Sequence, residues 1–191
     1  MRSNEFTQRG RLMKAFACLA LMLAIAGPVH AQSAADQPLP TISNFQPQRY
    51  LGTWHEVAKL PNRFQKMCMA NTRALYEALG DAIKVTNRCE GAEGKTQEAI
   101  GEARFIDKAN GKLEVRFAPA WLSWLPFVWG RYWILDLDEG YQTVLVGEPS
   151  REFLWILSRN PQMSTERYEA LVKKAASLGF DAGKIERSVN R

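Results

Sequence analysis

The chain has 191 residues, 46% of them hydrophobic, and a formal net charge of +5. That length suits one domain preceded by a targeting peptide. Residues 1–31 carry four of the 25 basic and one of the 20 acidic side chains, so the remainder holds 21 against 19, or +2. With no basic stripe interleaved with aromatics, nucleic acid is not an expected partner.

The N-terminus reads as a secretory signal. Arg2, Arg9, Arg11 and Lys14 precede an apolar core over 15–26, followed by Gly27-Pro28 and the small-x-small site Val29-His30-Ala31, with cleavage before Gln32. The apolar run is too short to span a bilayer. Cys18 lies near its beginning rather than after it, so a lipid-anchored form is not expected. The expectation is an exported protein, periplasmic or secreted. Cleavage leaves Cys68 and Cys89 as a candidate disulfide in an oxidising compartment.

Residues 32–41 read as a flexible leader, polar and proline-containing. Phe45, Pro47 and Tyr50 then lead into a strand over 52–60. Gly52 stands two residues before Trp54, where a glycine permits a tight bend and a large ring closes a cavity. Alternation places Trp54, Glu56, Ala58 and Leu60 on one face and His55, Val57 and Lys59 on the other. An inward Trp54 therefore also turns Glu56 inward, near the closed end.

Strands over 68–78 and 82–89 flank a turn at Gly80-Asp81. Ala74 and Tyr76 match Ile83, Val85 and Asn87 across the hairpin, with Arg73, Lys84, Thr86 and Arg88 on the opposite face. This register sets Tyr76 against Val85 and Cys89 against Thr72, about 13 Å along the strand from Cys68; a bulge or barrel curvature would have to close that gap. Strands over 97–106 and 112–118 follow, joined by the turn 107–111. Ala103 and Phe105 oppose the side of Arg104, and Leu113, Val115 and Phe117 alternate with Glu114 and Arg116.

The segment 118–129 is unusual for a connection, because it holds Trp121, Trp124, Trp129 and Phe127 between prolines. It reads either as a flap over the core or as an apolar lip. Strands over 129–137, 141–146 and 153–157 come next. Tyr132-Trp133-Ile134-Leu135 and the run 153–157 are apolar on both faces, so each needs an outer cover. A helix over 164–178 supplies one, with Tyr168, Leu171, Val172 and Ala175 at helical spacing, Glu166 in its first turn and Gly179 beyond its end. A last short strand runs over 184–189. Arg159, just past the final long strand, is placed to stack its guanidinium on Trp54 and cap the same end of a barrel.

The pattern Arg49-Tyr50-Leu51-Gly52-Thr53-Trp54-His55-Glu56-Val57-Ala58, with Phe153-Leu154-Trp155-Ile156-Leu157-Ser158-Arg159-Asn160-Pro161, resembles the lipocalins. It is most similar to the bacterial outer-membrane group, akin to apolipoprotein D, and the likeness runs from about Ile42 to Val189. Gly52, Trp54 and Arg159 match the family's first and third motifs. Asp136-Leu137-Asp138 departs from the second, although Tyr141 matches its later tyrosine. The resemblance implies an all-β fold over 42–191: an eight-stranded antiparallel up-and-down calycin barrel with one C-terminal α-helix packed outside.

The resemblance also implies a small hydrophobic ligand, a fatty acid or lysophospholipid, held in the calyx and serving cell-envelope maintenance. The inward set expected to contact it is Ala58, Ala74, Tyr76, Val85, Asn87, Ala103, Phe105, Val115, Phe117, Trp133, Val144 and Trp155. Asn87 and Arg131 are the sparse polar groups that would hold a carboxylate or phosphate head. Trp121, Trp124 and Trp129 would form the mouth, with peripheral membrane contact as a further role. The residues alone leave open whether the barrel is hollow or filled. The alternative is a filled barrel that docks on a protein or membrane through the aromatic lip.

Catalysis has little support. His55 is the only histidine left after cleavage, there is no Gly-x-Ser-x-Gly elbow and no Gly-rich phosphate loop, and one histidine with two distant cysteines falls short of a zinc site. The carboxylate pairs Asp136/Asp138 and Glu98/Glu102 read as structural, and no cofactor or metal is expected.

Overall fold

Period-two alternation organises the core of the chain into strands, and the computed structural model describes residues 37–191. The expected secretory signal over 1–31 and the first part of the expected leader lie outside the described residues. A single helical turn, α1 (Pro47–Tyr50), precedes β1 (Gly52–Lys59), β2 (Ala70–Leu79), β3 (Ala82–Glu90), β4 (Thr96–Asp107) and β5 (Lys112–Arg116). Then come β6 (Gly130–Leu137), β7 (Thr143–Gly147), β8 (Leu154–Ser158), the helix α2 (Thr165–Ser177) and a two-residue β9 (Glu186–Arg187). Strands β2 to β8 pair in sequence order, β8 pairs with β1, and β1 pairs with β2 to close the barrel. All pairings are antiparallel. The barrel of eight strands with an external helix agrees with the expected fold.

Tyr76 pairs with Val85 as the hairpin turn requires, but the ladder slips between Ala70 and Arg73. Asn71 and Thr72 together face Cys89, with Asn71 in the left-handed region at φ 54°, a conformation that asparagine tolerates better than most residues. This bulge draws Cys68 to a Cα separation of 5.5 Å from Cys89, and the two form a disulfide.

A second slip lies in β1, between Glu56 and Ala58. Above it the strand no longer alternates simply: Val57 and Ala58 both pack on the outer face, under α2. In β6, Tyr132 and Ile134 face the barrel interior while Trp133 and Leu135 join the outer layer. Ala58 and Trp133 are thus placed outside, correcting the inward assignment. The reason is a bulge in one strand, and in the other an apolar run whose parity composition does not fix.

The outer layer holds Leu145, Leu154 and Ile156 beneath Leu171, Ala175, Leu178 and Phe180. The Ser164 side chain caps α2 by accepting from the Arg167 amide. Leu39 is buried in the same layer, so the expected leader packs down at its C-terminal end.

Gly52 adopts φ +97°, which lets the chain turn from α1 into β1. Beyond it the Trp54 indole is fully buried and donates from Nε1 to the Tyr50 carbonyl at 2.8 Å. The Arg159 guanidinium lies 4.0 Å from the Trp54 ring centroid. Its edges donate to the carbonyls of Thr53 (2.9 Å), Arg49 (2.8 Å), Leu51 (2.9 Å) and Tyr141 (3.3 Å). One planar fork thus ties α1, β1 and the β6–β7 turn into a floor. A lysine offers a compact ammonium with no planar face. Arg159→Lys is therefore expected to lower stability by about 2 kcal/mol, read as an earlier midpoint in chemical denaturation.

The wall is not stitched by one pair of strands throughout. β2 pairs with β1 only from Gly52 to His55, and β9 takes over beside Ala58 and Lys59. The C-terminal tail continues the seam: the Ser188 amide donates to the Val57 carbonyl, and the Asn71 amide to the Val189 carbonyl, at 2.9 and 2.8 Å.

Candidate functional site

The barrel encloses a cavity of about 750 Å³ above the Trp54 floor, opening where the β1–β2, β3–β4, β5–β6 and β7–β8 connections gather. Of the residues expected to line it, Ala74, Tyr76, Val85, Asn87, Ala103, Val115, Phe117 and Trp155 do so. Phe117 folds its ring across bare backbone at Gly101, where an added Cβ would lie 2.7 Å from the ring. Val144 is fully buried in the inner core but does not reach the space. Phe105 packs against the same core near the closed-end turn. Arg131 borders the cavity and is exposed, and it pairs with Glu114 on the ladder and so shares that residue's outward parity.

The polar groups are sorted by depth. At the mouth, Arg63, Arg73, Arg88, Asn87 and Gln97 border the space. Midway, Glu56 is turned inward and buried, accepting from Gln65 Nε2 and from Ser188 Oγ, both at 2.5 Å. Gln65 belongs to the mouth loop, so Glu56 sits well above the closed end where it was expected. Gln65 Oε1 also accepts from Trp155 Nε1 at 2.9 Å, which holds that loop to the wall.

At the bottom, three phenols meet. Tyr132 Oη lies 2.7 Å from Tyr50 Oη and 2.9 Å from Tyr76 Oη. Tyr50 rests on Trp54, with ring centroids 4.9 Å apart. Burial raises all three phenols well above the ordinary range, Tyr76 to about 12, so they are protonated at neutral pH. Tyr50 and Tyr132 were missed in the sequence. Tyr50 precedes the strand, and Tyr132 sits in the run whose parity was open; its pairing with Leu113, an inward residue of the clearest alternating strand, is what turns it inside.

The aromatic connection divides into two parts. Trp121, Trp124 and Phe127 are 74%, 76% and 80% exposed, and Phe64 and Met67 of the β1–β2 loop, which border the cavity as Phe127 does, are exposed as well. Trp129, in contrast, is buried: Arg104 and Arg116 lie 4.0 and 5.2 Å from its ring, and its Nε1 donates to the Ser123 carbonyl. Of the expected mouth residues, Trp129 borders the cavity, as does Phe127, whereas Trp121 and Trp124 stand exposed on the same connection without lining it.

No group of three or more potential metal ligands occurs among the described residues. Asp136 pairs with Arg167 and Asp138 accepts from Thr143, while Glu98 pairs with Arg88 and Glu102 with Arg116. Each of these carboxylates is held by a structural partner. His55 pairs opposite Arg73, and burial together with that cation lowers its pKa.

A family model described as a lipocalin-like domain matches residues 45–190. The chain is 39% identical to temperature-induced lipocalin-1 of Arabidopsis thaliana over 154 residues, 78% of this chain and 82% of that one. It is 32% identical to the outer membrane lipoprotein Blc of Escherichia coli K12, covering 86% and 93%, and 30% identical to apolipoprotein D of Macaca fascicularis, covering 87% and 92%. Among solved structures, insecticyanin from the tobacco hornworm Manduca sexta superimposes with a TM-score of 0.62 at 20% identity, covering 80% and 84%. At that identity the likeness speaks to fold alone.

Proposed function

The chain belongs to the lipocalin family, and from that premise we propose that it binds a fatty acid or lysophospholipid in its calyx, storing or carrying it for maintenance of the cell envelope. The family binds small hydrophobic ligands, and the observation that carries the finer reading is the cavity of about 750 Å³, with apolar walls and a charged, open mouth. An acyl chain would lie along Val85, Ala103, Val115 and Trp155, gaining about 0.8 kcal/mol per buried methylene. Its charged head would stay at the rim near Arg63, Arg88 and Arg131, where water still reaches it. The reading sets the protein to work in the periplasm or outside the cell; the basic, apolar, small-x-small pattern of residues 1–31 supports it, as does the likeness to an outer membrane lipoprotein. Among the described residues no helix is long and apolar enough to cross a membrane.

A stoichiometric lysophospholipid is expected to quench tryptophan fluorescence through Trp155 in the wall. Ala103→Phe fills the waist and is expected to weaken binding at least ten-fold while the far-ultraviolet circular dichroism is unchanged. Unaltered affinity in that variant would place the ligand elsewhere. The exposed Trp121, Trp124 and Phe127 favour a second reading, docking of the lip on a membrane or partner. Salt-insensitive liposome binding with no saturable quenching would select it.

A further inference from the structure

The bottom of the cavity carries a hydrogen-bonding group that a plain acyl chain has no use for. Tyr50, Tyr132 and Tyr76 bring three phenolic protons, and only two hydrogen bonds join the three oxygens. Whichever way the protons are arranged, one O–H is left without an acceptor among the described residues. The group is deep: Tyr50 rests on the Trp54 ring, and on the β2–β3 ladder Tyr76 stands two residues beyond Ala74 and Asn87, about 7 Å along the strand toward the closed-end turn. All three tyrosines line the cavity, so the group that holds the spare proton borders the space that the ligand enters.

We propose that this tyrosine chain recognises a neutral oxygen, a hydroxyl or a carbonyl, at the deep end of an otherwise apolar ligand. The proposal rests on the calyx reading above and narrows its ligand to chains oxygenated at the far end. A carboxylate does not suit the place. The nearest cation, Arg159, lies on the Trp54 ring and is occupied by four backbone carbonyls, and an anion without a partner is costly in an apolar interior. A hydroxyl fits in both directions, accepting the spare proton and donating its own to a phenolic lone pair. Because their pKa values are raised, the phenols remain donors over the physiological range.

The test uses two matched pairs of probes, dodecanoate with ω-hydroxydodecanoate and hexadecanoate with ω-hydroxyhexadecanoate, titrated into the exported protein by calorimetry. The protein is expected to prefer the hydroxylated member of at least one pair by about ten-fold, the worth of one well-made buried hydrogen bond. Replacing all three phenols together, Tyr50→Phe with Tyr76→Phe and Tyr132→Phe, removes every polar atom of the group and orphans none, which a core tolerates better than removing one partner. In that variant the preference should vanish or reverse. A second readout needs no variant: in protein labelled at tyrosine Cζ, the hydroxylated probe should shift the buried tyrosine signals and the plain acid should not. Equal affinity for both members of each pair, or a preference that survives the triple replacement, overturns the proposal and leaves the calyx reading standing. Absence of binding by all four while lysophospholipid still binds overturns the proposal alone; absence of binding by all four and by lysophospholipid overturns both.

Discussion

Trp54→Ala is expected to lose about 4 kcal/mol of stability, the largest single effect in the molecule, because removing a buried tryptophan forfeits its transfer energy and leaves a hole. The indole touches three things at once. Its Nε1 satisfies the Tyr50 carbonyl, its one face meets the Tyr50 ring, and Arg159 lies over it. The truncation leaves that carbonyl unpaired and removes the surface on which both neighbours rest. For a domain of this size the loss corresponds to a fall in melting temperature of about 12 °C. Trp54→Phe keeps an aromatic face and loses the N–H, so about half that fall is expected. Thermal unfolding followed by circular dichroism distinguishes them; a fall under 3 °C for the alanine variant would mean that the floor is held without the indole.

Replacing both cysteines, Cys68→Ala with Cys89→Ala, is expected to lower stability by about 3 kcal/mol, the chain-entropy value for a closed loop of this size. The bond spans 21 positions and ties the end of the β1–β2 loop to β3 just where the ladder is bulged. Its loss should be felt beyond that loop. Met69 donates its amide to the Glu90 carbonyl, and Gln65 in the same loop contacts Glu56 and Trp155 in the cavity wall. Urea denaturation of the double variant, compared with the parent with and without reductant, measures this. A parent that is insensitive to reductant would show that the strand pairing alone fixes the loop.

The sequence made the barrel legible where strands are half-solvated. Leu113, Val115 and Phe117 against Glu114 and Arg116, and Ala74 and Tyr76 against Arg73, announce their own orientation, and the turn at Gly80-Asp81 fixed the pairing of Tyr76 with Val85. Legibility failed where that contrast is lost. Tyr132-Trp133-Ile134-Leu135 is apolar on both sides because α2 covers its outer face, so nothing local says which half points in. Ala58 was misassigned for another reason, since an inserted residue resets alternation and no composition marks it. The disulfide was legible as a pair of cysteines but not as a geometry, because its closure depends on a second such insertion. The tyrosine chain was the least visible feature: its members come from α1, β2 and β6, and only closure of the barrel brings them together.

The tail that completes the upper seam has a consequence for the protein's behaviour in crowded surroundings. Above His55, β1 has parted from β2, and a strand that parts from its neighbour exposes a ladder of unpaired amides and carbonyls on which foreign strands can nucleate. Residues 186–190 lie along that ladder, and Asn190 reaches the Glu56 carbonyl while Arg191 donates its amide to the Asn71 side chain. Residues 186–191 thereby cover that margin, and deleting them is expected to make the protein more prone to strand-mediated aggregation.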